Sequence, residues 1–314
     1  MPGKVLNYYA EGNTSRGFFS LYESNLQGLD RIFILKGGSG TGKSTLIRSL
    51  ADEWIKKDYD VEILNSARDN ESIDGVIIPK LKVAVVNGKE PDVIKAKLPG
   101  LIEQYIDMSE ALDSSKLEEH KEELIKLTEE IEGSYQIAYS KFAAALRIHD
   151  EWEKIYIENM DFTKANAVAE ELTEKFFGAK RLRKESVVKH RFLGAATPMG
   201  SVDFLPAITE SIGKRYFLKG RPGTGKSSLL KKLAAQAEKR GFDVEIYHCG
   251  FDPMSLDMVL LRELDIVIFD STAPHEYFPD RDNDEVVDMY EITVTPGTDE
   301  KYAAKLDDIR KRYK

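Results

Sequence analysis

RIFILKGGSGTGKSTLIRSLADEWIKKDYDVEI, residues Arg31–Ile63, and KRYFLKGRPGTGKSSLLKKLAAQAEKRGFDVEI, residues Lys214–Ile246, decide the fold between them. They align without a gap at an offset of 183, and 16 of the 33 positions are identical, so one unit is written twice. Each copy opens on an apolar run, passes through a glycine-rich loop, continues in helix formers and closes on a second apolar run. That order is strand, loop, helix, strand. Repeated units of this kind need right-handed crossovers, which predicts an α/β fold of two units with mainly parallel sheets covered by helices. The predicted strands are 31–36, 60–64 and 82–86 in the first copy, and 214–219, 243–247 and 265–269 in the second.

The register extends in both directions. Asp74 aligns with Asp257, Asn87 with Asp270, Pro91 with Pro274 and Thr14 with Thr197. The copies are thus expected to begin near residues 10 and 193, with one domain over 1–190 and a second over 191–314. A counterpart of residues 132–190 is lacking after the second copy, which is either naturally shorter or cut. The first copy alone carries Leu101–Phe177, rich in Glu, Lys, Ala and Leu, with Leu117, Leu124, Leu127 and Ile131 at helical spacing. This predicts a helical arm. Ser115 followed by Glu118 reads as a capping box, and Glu132-Gly133 as a turn into a second helix through Trp152. A hairpin packing its Leu and aromatic stripe on the domain is the simpler expectation for the arm; an interaction surface is the sharper one. Gly178–Arg191 is a basic connection.

The loops carry the chemistry. Gly37, Gly38, Ser39, Gly40, Thr41, Gly42, Lys43 and Ser44, followed by Thr45, fit GxxxxGK[ST]; so do Gly220, Arg221, Pro222, Gly223, Thr224, Gly225, Lys226 and Ser227, followed by Ser228. Glycines let successive backbone N–H groups converge on phosphate oxygens, and the helix that follows points its positive dipole end at the same anion. Lys43 and Lys226 are expected on the β and γ phosphates, with the Ser44 and Ser227 hydroxyls on Mg²⁺. A nucleoside triphosphate is therefore the expected ligand. Its metal also wants a carboxylate at the end of a neighbouring buried strand. Asp270, 44 residues after Lys226, supplies it; Asn87, 44 residues after Lys43, puts an amide there instead. Weaker Mg²⁺ binding and slow or absent turnover are expected at the first site, and catalysis is assigned to Lys226 and Asp270. His275, beyond the second strand, is a candidate contact for the γ phosphate or the attacking water, against the plainer view of a solvent-exposed loop histidine. No Glu follows Asp270 directly, which argues for slow turnover without a partner.

Composition excludes other classes. Apolar residues are 42% and charged residues 32%, too hydrophobic overall for a disordered chain. No apolar run approaches the roughly 18 residues that span a bilayer, and the stretch behind Lys4 has no signal-peptide core, so no membrane span and a cytoplasmic location are expected. A single cysteine, Cys249, closes no intramolecular disulfide and is expected as a small buried filler; five histidines form no HxxxH pair. The net charge of −9 gives no indication of nucleic acid as a partner.

LKGGSGTGKSTL (Leu35–Leu46) and LKGRPGTGKSSLL (Leu218–Leu230), with IFDSTAPH (Ile268–His275), SNLQGLDR (Ser24–Arg31) and HRFLGAATP (His190–Pro198), resemble a bacterial family of tandem P-loop ATP-binding proteins over nearly the whole chain. The resemblance implies ATP and ATPase activity and names no pathway. Such proteins carry an acid and a TAPH-like run in both halves, from which Asn87 and Asp92 depart here. Three classes of function compete: an ATPase coupling nucleotide state to movement between halves; a small-molecule or nucleotide kinase with Arg181, Arg183 and Arg191 on a lid; and a non-hydrolysing nucleotide-gated binding protein. The coupled partner, protein or small molecule, is not legible. Neither half has an NKxD element for guanine or an LSGGQ-like signature between loop and acid.

Overall fold

The structure, a computed structural model, describes residues 3–89, 94–273 and 276–313. It is a mixed α/β protein with two six-stranded, mainly parallel sheets flanked by helices. The elements in chain order are β1 (Val5–Tyr8), β2 (Glu11–Thr14), β3 (Gly17–Ser20), α1 (Tyr22–Asn25), β4 (Arg31–Lys36), α2 (Lys43–Lys56), β5 (Val61–Asn65), β6 (Ile73–Ile78), β7 (Val83–Asn87) and β8 (Glu103–Asp107). Then come α3 (Ser114–Glu118), α4 (Lys121–Ile157), α5 (Phe162–Phe177), β9 (Val188–Phe192), β10 (Gly194–Thr197), β11 (Gly200–Asp203), α6 (Leu205–Thr209), β12 (Lys214–Lys219) and α7 (Lys226–Lys239). The chain closes with β13 (Val244–His248), β14 (Leu256–Leu261), β15 (Ile266–Asp270), β16 (Glu285–Asp288), α8 (Met289–Thr293), α9 (Thr298–Lys301) and α10 (Ala303–Tyr313).

The duplication is visible strand by strand. One sheet runs β8-β4-β7-β6-β5-β1 and the other β16-β12-β15-β14-β13-β9, the same order with the same directions. Within these two sheets, among the described residues, only β6 and β14 run antiparallel to their neighbours; β2–β3 and β10–β11 form separate antiparallel pairs. The six predicted strands are present, four of them displaced by one residue at their start. The outer pair β1 and β9 places the beginning of each copy near residues 5 and 188, earlier than the loops alone suggested. Even unusual backbone repeats: Lys82 and Asp265, both non-glycine residues at positive φ (53° and 57°), turn the chain into β7 and β15. Where α7 ends at Gly241 (φ 79°), α2 ends at Asp58 (φ 62°), one of the few residues whose short polar side chain tolerates that region.

Two compact units result, the first formed by Met1–Lys141 with Gly194–Ile208 and the second by Phe142–Leu193 with Thr209–Lys314. In the first, Leu35, Ile47, Val61, Val76 and Ile78 join sheet to helix α2. In the second, α5 lies on α7: Val168, Leu172, Phe176 and Phe177 are buried in one cluster with Leu229, Leu230, Leu233 and Phe242. Burying each such side chain contributes about 1.5–3 kcal/mol.

The arm departs from the sequence reading. Helix α4 runs unbroken through Gly133, so there is no turn at Glu132-Gly133. One glycine costs a helix only about 1 kcal/mol, and 36 surrounding positions outweigh it. Ser115 sits inside α3, behind its N-cap Asp113, and donates to the Asp113 carboxylate at 2.5 Å, so no capping box with Glu118 forms. The Leu117, Leu124, Leu127 and Ile131 stripe is not packed on a domain: these residues are 41–56% exposed. Among the described residues no helix is long and apolar enough to cross a membrane.

Candidate functional site

In each unit the strand beside the middle of the sheet runs into a glycine loop and then directly into a helix. Helices α2 and α7 begin at Lys43 and Lys226, and their N-cap residues Gly42 and Gly225 take φ of 82° and 86° without any side-chain cap. Uncapped first-turn N–H groups present donors to an external anion, with the helix dipole behind them. Both lysines are 7% exposed. Lys43 Nζ donates to the carbonyls of Gly37 and Gly38, each at 2.6 Å, and to Thr41 Oγ1 at 3.1 Å. Lys226 Nζ makes the equivalent bonds to Gly220 O at 3.4 Å and Arg221 O at 3.0 Å. Thr41 and Thr224 brace the loops alike, donating to Gly38 O and Arg221 O at 2.9 and 2.8 Å.

The serines and strand ends meet the loops from the sheet side. Ser44 Oγ accepts the Ile73 N–H at 2.9 Å and Ser227 Oγ accepts the Leu256 N–H at 3.0 Å. The next residues along those strands are Asp74, whose charge acts on Lys43, and Asp257, which contacts Cys249. These two acids on the antiparallel strands stand at the same offset from the two lysines. In the second unit Asp270 Oδ2 stands 3.6 Å from Lys226 Nζ, while Oδ1 accepts from Thr272 N and Oγ1 at 3.1 and 2.6 Å. In the first unit Asn87 instead donates from Nδ2 to Asp74 Oδ1 at 3.1 Å. A second lysine pair was also unread: Lys36 donates to Gly88 O at 3.3 Å and Lys219 to Ser271 O at 2.6 Å, latching each loop strand to the strand beside it.

The loops differ in what surrounds them. A Cβ built on Gly38, Gly40 or Gly42 would meet nothing within 4 Å. One on Gly223 would lie 2.5 Å from the Glu153 carbonyl oxygen, and one on Gly225 would touch Met160 and Met289. Helix α4 therefore lies against the second loop. Burial holds the Glu153 carboxyl above the usual carboxylate range, with the charges of His149 and Lys226 opposing that rise. Arg221 is tied to Asp299 at 3.0 Å, which also accepts from Tyr156 at 2.8 Å, so the loop is anchored to α9 and α4. Nothing in the sequence pairs residue 153 with residue 223.

Other expected residues fall elsewhere. His275 lies outside the described residues, as do Asp92, Pro91 and Pro274. Arg191 is 1% exposed and 3.3 Å from Glu245 within the sheet, which takes it off any lid, whereas Arg181 and Arg183 are exposed. Cys249 is half-buried, and burial together with neighbouring Asp257 pushes its thiol well up. Compared with protein-family models, curated proteins and solved structures, the chain matches none of them.

Proposed function

We propose that the chain is a tandem P-loop ATP-binding protein whose second site hydrolyses ATP with Mg²⁺. The observation that carries this reading is the twice-built junction of a glycine loop with an uncapped helix that starts on a buried lysine. A triphosphate tail would replace the loop carbonyls as partner of each ammonium and take up the free N–H groups of the first helical turn. The residues of the second unit also fit Mg²⁺. Ser227 Oγ accepts one hydrogen bond and keeps a lone pair for the metal, and the Asp270 carboxylate would supply a hard oxygen donor or hold its waters. Bound there, Mg²⁺ would neutralise charge developing on the transferred phosphoryl group, while Lys226 orients that group.

The contact of α4 with Gly223 favours a second reading, in which the second site binds nucleotide and signals its state without turnover. The two readings separate on phosphate release. Acceptor-free, Mg²⁺-dependent release that Lys226→Ala abolishes supports hydrolysis. Stoichiometric ATP retention without release supports the gated binder, and ATP consumption only on adding a nucleoside or metabolite supports a kinase.

A further inference from the structure

Two residues beyond β7 the copies differ by a charge. At the position of Thr272 in the second unit, the first has Lys89. Lys89 Nζ donates to both oxygens of Asp74 at 2.8 and 2.9 Å and to Ser66 Oγ at 3.2 Å, and lies 3.9 Å from Glu11. The side chains of Asp74 and Glu11 are each 2% exposed. The Lys43 ammonium belongs to the same cluster: its pKa is lowered by burial first and then by the charge of Lys89, against the pull of Asp74. Asn87 faces this pair through Nδ2, and its Oδ1, in a side chain 92% buried by its 8% exposure, has no hydrogen-bond partner. That buried acceptor is left unsatisfied beside the Lys89–Asp74 pair.

The charges of the two units explain the difference. In the first, the Lys89 ammonium sits on Asp74 and near Glu11, and its charge reaches Lys43. In the second, Lys226 stands 3.6 Å from Asp270, whose other oxygen accepts from neutral Thr272 at the position of Lys89. A divalent ion entering beside Ser227 would meet no ammonium at the position of Lys89. One entering beside Ser44 would meet an ammonium already seated on Asp74, and an amide, Asn87, at the position of Asp270.

We propose that the Lys89 ammonium is the built-in cation of the first loop, which therefore takes the phosphates of a nucleoside triphosphate without a divalent metal and holds them unhydrolysed. The proposal rests on the P-loop reading above. An ammonium offers a triphosphate single-charge attraction and hydrogen bonds, but it cannot polarise a water or bridge β and γ oxygens as Mg²⁺ does. Binding without turnover follows.

Calorimetry with ATP on the full-length Lys226→Ala chain, which leaves only the first loop, tests this in EDTA and again in excess Mg²⁺. The expected Kd values agree within about threefold, while Lys43→Ala, which leaves the second loop, loses about tenfold or more of its affinity in EDTA. Adding Lys89→Thr to Lys226→Ala should weaken binding in EDTA by about tenfold or more, and Lys89→Arg should preserve it. First-loop binding that appears only with Mg²⁺, or EDTA binding indifferent to Lys89→Thr, would overturn the proposal. If Lys89→Thr does not fold, the two-buffer comparison on Lys226→Ala decides alone. A wild-type chain that takes up no ATP in either buffer overturns the P-loop reading itself, an outcome distinct from Mg²⁺-dependent binding at the first loop.

Discussion

The Lys226 ammonium stands 3.6 Å from the Asp270 carboxylate, at the junction of loop, helix and neighbouring strand. Asp270→Asn reproduces the residue of the first unit and removes the charge that would face the metal. Mg²⁺-dependent phosphate release under single-turnover conditions should fall by about 10²-fold, with ATP uptake in EDTA unchanged. Unaltered release would remove Asp270 from the metal's surroundings.

The glycines distinguish an open loop from a covered one. Gly40 and Gly223 are equivalent and share φ near 78° and 77°, so alanine at either is strained by about 1–3 kcal/mol. Only at Gly223 does the added Cβ also collide, 2.5 Å from backbone of Glu153. Gly223→Ala should therefore lower the melting temperature more than Gly40→Ala does. Equal shifts in thermal denaturation would contradict the packing of α4 on the second loop.

Helix continuity through Gly133 makes a prediction of opposite sign to the one a turn would give. A Cβ there meets nothing within 4 Å, and the residue is helical, so Gly133→Ala should stabilise α4 by about 0.5–1 kcal/mol and raise helicity in circular dichroism. In a glycine-requiring turn the same change would destabilise. Ala substitution at the exposed Leu124 or Ile131 should leave stability within about 0.5 kcal/mol.

Acid sensitivity of the second unit should centre on Asp284. The hydrogen bond from Arg215, with further backbone N–H donors, lowers its carboxyl from 3.8 to about 2. The folded value lies below the unfolded one, so this stabilisation is complete above pH 4 or so and is lost as pH falls through about 2. Its size, discounted for solvent screening, is on the order of 1–2 kcal/mol. Chemical denaturation between pH 5 and 2 should show a loss that Asp284→Asn removes; identical pH profiles would exclude this pair as the cause.

Residue patterns made much of the architecture readable because short-range physics specifies it. Apolar runs on either side of the loop and helix made β4, β5, β12 and β13 legible, apolar runs ending on Asn87 and Asp270 did the same for β7 and β15, and the unbroken offset of 183 carried one unit's reading onto the other. Strands β6 and β14 escaped because a short buried apolar run does not announce its direction; only neighbours on both sides make it antiparallel. Gly133 misled for a related reason: its helix penalty is local and small, while the helix is held by its whole length.

The sequence by itself determined the duplicated α/β units, the position of each loop and lysine, and the exchange of Asp270 for Asn87, since those follow from residue type and spacing along the chain. Only the tertiary structure decided that Lys89 sits on Asp74 and that Glu153 lies against Gly223. The first joins two adjacent strand ends through a flexible side chain, and the second joins residues 70 positions apart by helix packing. Neither geometry has a period or a motif, because both arise from burying charge and backbone in a shared, close-packed space.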